Sequence, residues 1–338
     1  MSWRLALRAL LLAAVGLALA DPPPARADAT TLRVAKQFGL GYLQFMIMQD
    51  RQLIEKHAKA AGLGDVSVEW ATFRSSDVMN DALISGTVDF VCLGIPGIVT
   101  IWSKTRGTMD VKGATALNVA PLHLNVRDPA IRSLADFKDH HRIAMPAVKV
   151  SMQAILLQMA AAKAFGEARF NALDHLTVSM AHPDATAAML GGPSEVTANF
   201  SSPPFQYRQL KNPNVRTLIK STELLEGGVS FNVIAATTKF RRDNPKLYAA
   251  FLSALREATD IINADKDRAA ETYLKVSGEK TPIADIKEVL SDPEIIYTLK
   301  PLNIRSLVEF MAKTGSLRGP PGDWKDMFFP EGLAEVGG

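Results

Sequence analysis

The stretch Asp81–Gly97, DALISGTVDFVCLGIPG, decides how the chain is read. It predicts the end of a helix, a turn at Gly86 and a short strand, Val88 to Leu93, that opens into Gly94-Ile95-Pro96. An apolar run bounded by Gly and Pro is the pattern of a strand buried on both faces of a parallel sheet. The C-terminal end of such a strand is where open α/β sheets take ligands. The stretch has an echo at an offset of 106: Ala82, Leu83, Gly86 and Asp89 meet Ala188, Met189, Gly192 and Glu195, and a loop containing Pro follows each copy.

The echo extends upstream. Leu32–Ala35 opens the first copy and Arg142–Ala144 the second, while Val66–Trp70 is matched by Leu176–Met180. Val34 to Val68 spans 34 residues and Ile143 to Val178 spans 35. Two copies of strand–helix–strand–helix–strand imply an α/β protein with two similar, Rossmann-like lobes.

The 338 residues, 47% hydrophobic and 22% charged, allow two domains with proper cores. Arg4 and Arg8 precede an apolar run, Ala9–Ala20, too short to span a bilayer, so residues 1–27 read as a signal peptide. Cleavage is expected after Ala20 or, by preference, Ala27. Losing residues 1–27 removes three Arg and one Asp, taking the formal charge from +3 to +1. A nearly neutral protein points to neither nucleic acid nor an anionic membrane as partner. Cys92 is the single cysteine, which excludes an intramolecular disulfide and reads as a small core residue. With no Cys in the signal region, a free periplasmic protein is expected, and a monomer.

Along the chain, strand one (Leu32–Lys36) leads through Gln37–Gly41 to a helix from about Tyr42 to Ala61. Ser75 or Ser76 suits the cap of the next helix. Val111–Asn118 is a further strand, and Pro121 marks a crossing, near Asn118–Leu122, into the second lobe. Leu122–Arg127 alternates as a strand. A helix over Met152–Phe165 is stopped by Gly166. Val229–Ala235 reads as a buried strand beside Leu122–Arg127, and the second crossing is expected at Phe240–Pro245, before a helix over Pro245–Ala264. Lobe one is thus expected to hold residues 28–120 and 241–338, and lobe two 121–240. Trp324, Phe328 and Phe329 read as a packing cluster.

Taken in order, several of these features are similar to one family. They are the polar–Gly loop and Tyr42 after strand one, the Ser-capped helix, and Ala82-Leu83-x-x-Gly86-x-x-Asp89 followed by a strand and Gly94-x-Pro96. Ser133-x-x-Asp136-Phe137-Lys138 then leads to Ile143-Ala144-x-Pro146. The order resembles the periplasmic solute-binding proteins of the nitrate/sulfonate/taurine ABC importers, over about Leu32 to Leu274. The resemblance implies a type II periplasmic binding protein-like fold, two lobes on a two-crossing hinge. It also implies capture of a small organic, anionic solute by closure, without chemistry or cofactor, and delivery to a permease driven by its ATPase. The ligand positions it implies are Gln37, Phe38, Gly39 and Tyr42; Ser75 and Ser76; Gly94, Ile95 and Pro96; Asn118; Lys149, Val150 and Ser151; Asn199 and Phe200; and Phe231.

Within that frame, Ser151 caps the lobe-two helix, and free amides, helix dipole and the Lys149 ammonium together suit a carboxylate or sulfonate. Phe38, Tyr42, Phe200 and Phe231 supply apolar surface. Two enzymatic readings compete. Gly39-Leu40-Gly41-Tyr42-Leu43-Gln44, with Glu69 after it, makes most of a dinucleotide fingerprint, but Gln44 stands at the third Gly. The fungal thiamine-pyrimidine-precursor synthases share the implied fold but carry a cysteine-rich iron motif, and this chain has one Cys. The six His residues lack metal-ligand spacing, so no metal site is expected.

Overall fold

The computed structural model describes residues 28–334, apart from 193, 226, 318, 320 and 321; the predicted signal peptide lies outside these. β1 (Thr31–Lys36) is followed by a 3-10 turn, Leu40–Tyr42, then α1 (Leu43–Asp50) and α2 (Leu53–Ala60). One helix was expected here; Gln52, in the left-handed region at φ 50, divides it. Next come β2 (Ser67–Thr72), α3 (Ser76–Ile84), β3 (Phe90–Gly94), α4 (Ile95–Thr105) and β4 (Val111–Val119). Gly94-Ile95-Pro96 is not a free loop. Gly94 is the N-cap of α4 and Pro96 sits in its first turn, where a missing N–H removes no helical bond.

The second lobe runs β5 (His123–Val126), β6 (Arg142–Met145), α5 (Met152–Phe165), β7 (Thr177–Ser179), α6 (His182–Leu190), β8 (Val196–Ser201), α7 (Phe205–Leu210) and β9 (Arg216–Lys220). The chain then returns through β10 (Ser230–Thr237), α8 (Thr238–Asp243), α9 (Pro245–Ala264), α10 (Lys266–Ser277), α11 (Ile283–Leu290), β11 (Ile296–Tyr297), α12 (Arg305–Lys313) and α13 (Pro330–Ala334).

Six strands form one sheet, in the order β2-β1-β3-β10-β4-β11, and five form the other, β7-β6-β8-β5-β9. The two share a plan. Three parallel strands are followed by an antiparallel strand arriving from the other lobe (β10, β5), then by the strand that leaves for it (β4, β9). The echo is a structural repeat, since α3 and α6, and the starts of β3 and β8, are each 106 residues apart.

The position of β10 corrects the expected hinge. Nearly all of its residues are buried, so it needs neighbours on both sides, and β8 and β9 already flank β5. It pairs instead with β3 and β4 in the first sheet. The second crossing therefore falls between β9 and β10, ahead of the expected Phe240–Pro245.

The first core is centred on aromatic stacking between sheet and helix. Phe90 of β3 lies 3.8 Å from Phe251 of α9, the rings 8° from parallel, and Phe240 meets Phe90 edge-on at 5.3 Å. The apolar positions of α9, Leu247, Phe251, Ala254, Leu255, Ala258 and Ile262, recur at helical spacing and are buried. Phe328 and Phe329 are buried, with Trp324 edge-on to Phe328 and Phe329 edge-on to Tyr248, as the packing reading expected.

The lobes meet along a seam. The Leu40 amide donates to the Pro203 carbonyl at 3.0 Å. On one side the Tyr207 hydroxyl donates to Asp292, Lys211 pairs with Glu288 at 2.8 Å, and Arg208 approaches Glu279 at 3.8 Å. On the other side Lys313 pairs with Glu167 and Phe170 meets Phe310 edge-on.

Candidate functional site between the lobes

The C-terminal ends of the parallel strands in both sheets face this seam. Residues after β1 form its floor. Gly39, at φ 101, is held there by space as much as by conformation, since a Cβ would stand 2.7 Å from the Pro203 carbonyl oxygen. Three side chains fix the following turn: Tyr297 donates to the Leu40 carbonyl at 2.9 Å, and Asn118 and Asn232 both donate to that of Gly41, at 2.6 and 3.1 Å. Asn118 is thereby committed to the turn through its amide nitrogen, while the Oδ1 atoms of Asn118 and Asn232 are buried without a partner. Tyr42 and Phe231 are buried, with Phe231 packed against Gly41.

Gln37 reaches across to α3, its Nε2 donating to Ser76 Oγ at 3.2 Å. Ser75 holds the N-cap position of α3, but its hydroxyl donates to the Asp77 carboxylate and makes no cap bond. Ile95 and Pro96 are buried in the first turn of α4. Gly94 lies against the other lobe, because a Cβ there would meet Met152 Cβ at 3.4 Å. The N-termini of α4 and α5 thus face each other across the seam.

In lobe two, Ser151 caps α5: its Oγ accepts from the Ala154 amide at 3.2 Å and donates to the Ala147 carbonyl at 2.6 Å. Val150 is half-buried. Lys149 is exposed, in the left-handed region at φ 65, and its charge is felt by Asp174. Asn199 donates to the Ala144 carbonyl and accepts from Gln209; Phe200 is fully buried in its sheet. The contacts therefore bring Gln37, Ser76 and the Gly39–Tyr42 turn together with Asn118 and Phe231, and set Gly94 against the start of α5. They engage Asn199 and Phe200 within lobe two and leave Lys149 on the surface.

A cavity of about 340 Å³ opens on this seam. Lobe one lines it with Lys36, Gln37, Phe38, Gly39, Met46, Thr72 and the end of α10, and lobe two with Pro183, Phe205 and Arg208. Its size lies at the small end of ligand pockets.

Sequence reasoning passed over two features. One is Lys36, a buried lysine at the end of β1. The other is His182, at the first position of α6, which the offset of 106 sets opposite Ser76; that signal was available. Burial lowers its pKa to about 3, so the ring is neutral. Nδ1 meets Ser201 Oγ at 3.2 Å, Nε2 meets Ser202 Oγ at 3.1 Å and Gln153 Nε2 at 3.4 Å, and Phe205 stacks on the ring. The neutral ring is thereby held in place by two hydroxyls and an amide. The dinucleotide reading meets a further obstacle in the Leu40 amide, which is already spent on Pro203. Among the described residues no group of three or more His, Cys, Asp or Glu is arranged to hold a metal.

The model of the NMT1-like family matches residues 25–276, three quarters of the sequence. The chain belongs to the NMT1-like family. Solved structures carry the same architecture. The alkanesulfonate-binding protein SsuA from Xanthomonas axonopodis pv. citri, bound to MOPS, superposes with a TM-score of 0.69 at 19% identity, covering 87% of this chain and 96% of that one. SsuA from Escherichia coli gives 0.63 at 20% identity, over 89% and 92%. The nitrate-binding protein NrtA from Synechocystis PCC 6803 gives 0.67 at 15% identity, over 88% and 84%. No curated protein sequence matches. The resemblance drawn from the motifs is borne out as to family and to the periplasmic binding protein fold. No helix among the described residues is long and apolar enough to cross a membrane.

Proposed function

We propose that this NMT1-like protein is the solute receptor of an ABC importer. It captures a small organic anion of the sulfonate or carboxylate class between its lobes and delivers it to a permease worked by a cytoplasmic ATPase. It performs no reaction on the solute and acts in the periplasm as a monomer, after removal of residues 1–27. The observation that carries this reading is the cavity at the seam, lined from both lobes at the C-terminal ends of their parallel strands. A site shared by two bodies joined by two crossings couples binding to closure. The names of the similar structures, an alkanesulfonate receptor and a nitrate receptor, support the anionic class.

A thermal-shift panel on the mature protein tests the reading, because a ligand raises stability with the logarithm of its excess over Kd. The solute that stabilises should also contract the protein in small-angle scattering. Turnover of that solute, or binding without contraction, would contradict it.

A further inference from the structure

Lys36 is the last residue of β1, 6% exposed. Its Nζ donates to Gln49 Oε1 at 2.9 Å and stands 5.9 Å from the centre of the Trp70 ring. Among the described residues no carboxylate pairs with it. The nearby acids are engaged elsewhere: Asp50 with Lys275 at 2.6 Å, and Glu279 with the Tyr273 hydroxyl at 2.6 Å and Arg208 at 3.8 Å. A buried ammonium with three hydrogens and one neutral acceptor is an unmatched charge, and burial of this kind is costly unless something supplies the opposite sign. Lys36 also lines the inter-lobe cavity, whose other charged residues are Arg208, Lys280 and Glu279; with Lys36 that is three positive groups against one negative.

We propose that Lys36 is the counter-ion for the acidic group of the solute, and that the cavity takes a small monoanion whose apolar part lies along Phe38 and Phe205. The inference rests on the receptor reading above. It moves the anion contact from the exposed Lys149 to the floor of the seam, where a charge-assisted bond is shielded from water. The low dielectric that makes the empty site costly makes the filled one selective for charge. Burial holds the Lys36 pKa down to about 8. The groups facing it are Gln49 from α1, Trp70 and Thr72 from β2 and, around the cavity, Arg208, Glu279 and Lys280; none of these is a carboxylate in contact with it.

The test uses the mature full chain with ethanesulfonate, butyrate, benzoate and nitrate, and with ethyl methyl sulfone, butyramide and benzamide as neutral counterparts. The wild type should bind a charged member and reject its neutral partner. Lys36→Met should weaken that anion by about tenfold to a hundredfold, while the empty variant melts no lower than the parent; Lys149→Met should bind as the parent does. Affinity of the wild type should hold below pH 8 and fall as Lys36 loses its proton above it, and Lys36→Met should lack that fall. Should Lys36→Met misfold, the wild-type pH profile decides alone. An anion bound equally tightly by Lys36→Met, or with no loss of affinity between pH 7 and pH 10, overturns the inference and leaves the receptor reading standing. A panel in which only neutral members bind overturns the inference together with the anionic class proposed above and leaves the receptor role alone standing, and one in which nothing binds overturns that role as well.

Discussion

Replacing Gly39 by Ala separates strain in the fold from obstruction of closure. The residue sits at φ 101 and ψ 176, a region open almost only to glycine, so an alanine there costs about 1–3 kcal/mol in any state of the hinge. The second cost exists only when the lobes meet. The new Cβ would stand 2.7 Å from the Pro203 carbonyl oxygen and 3.1 Å from the Phe205 ring, both in lobe two. Relief means parting the lobes there, which breaks the 3.0 Å bond from the Leu40 amide to Pro203, worth about 1 kcal/mol. With the displaced packing, closure should be disfavoured by about 1–3 kcal/mol, a loss of roughly 5- to 150-fold in affinity. Gly86→Ala is the control: its φ is 72 and open space surrounds its Cβ position, so it should lower stability by about 1–2 kcal/mol and leave binding alone. Thermal melts, calorimetry with the best solute of the panel, and scattering with and without it read the three quantities. If Gly39→Ala binds and contracts like Gly86→Ala, the Gly39–Pro203 contact does not belong to the closed, solute-holding state, and the account of the seam fails.

Two further expectations follow from the same interface. Tyr207→Phe removes the hydroxyl that donates to Asp292 across the lobes, and should weaken solute binding by about fivefold with little effect on the melting of either lobe; unchanged affinity would show that the bond survives equally in the open form. His182 has a folded pKa of about 3, below its ordinary 6.5, so the unfolded chain binds the extra proton between those values and stability should fall as pH drops below 6.5. His182→Gln should flatten that part of the stability–pH curve measured by urea unfolding.

The repeat carried most of the fold. Positions 82–89 and 188–195 were legible as equivalent because the same packing problem, a helix closing onto a buried parallel strand, was solved twice with the same small and apolar residues. Asp89 has a structural role in this motif, for it accepts from the Arg33 amide at 2.9 Å and from the Nε and Nη2 of the Arg33 guanidinium at 3.1 and 2.7 Å, tying β1 to the start of β3, while Nη1 donates to the Gly86 carbonyl. The second crossing was less legible. Val229–Ala235 is apolar throughout, and an apolar run reports burial without naming the sheet that buries it. The side of a loop that a lysine faces is equally invisible: Lys149 and Lys36 both end a strand or follow one, and only the packing of α1 and Trp70 over Lys36 distinguishes them.

The repeat also locates where the lobes stop being alike, which is where recognition of one solute must arise. Ser76 and His182 hold the same first helical position, and Gly94 and Phe200 the same place near a strand end. In lobe one that strand end is bare, so that α5 can approach, and a lysine stands one strand away. In lobe two the matching place is taken by Phe200, and the first helical position carries a buried neutral ring fixed by two hydroxyls and an amide. A cavity between identical lobes would favour a symmetric solute. The cavity between these lobes has Lys36, Gln37 and Phe38 on one side and Pro183, Phe205 and Arg208 on the other, and the better fit is a molecule with one acidic end and one apolar end.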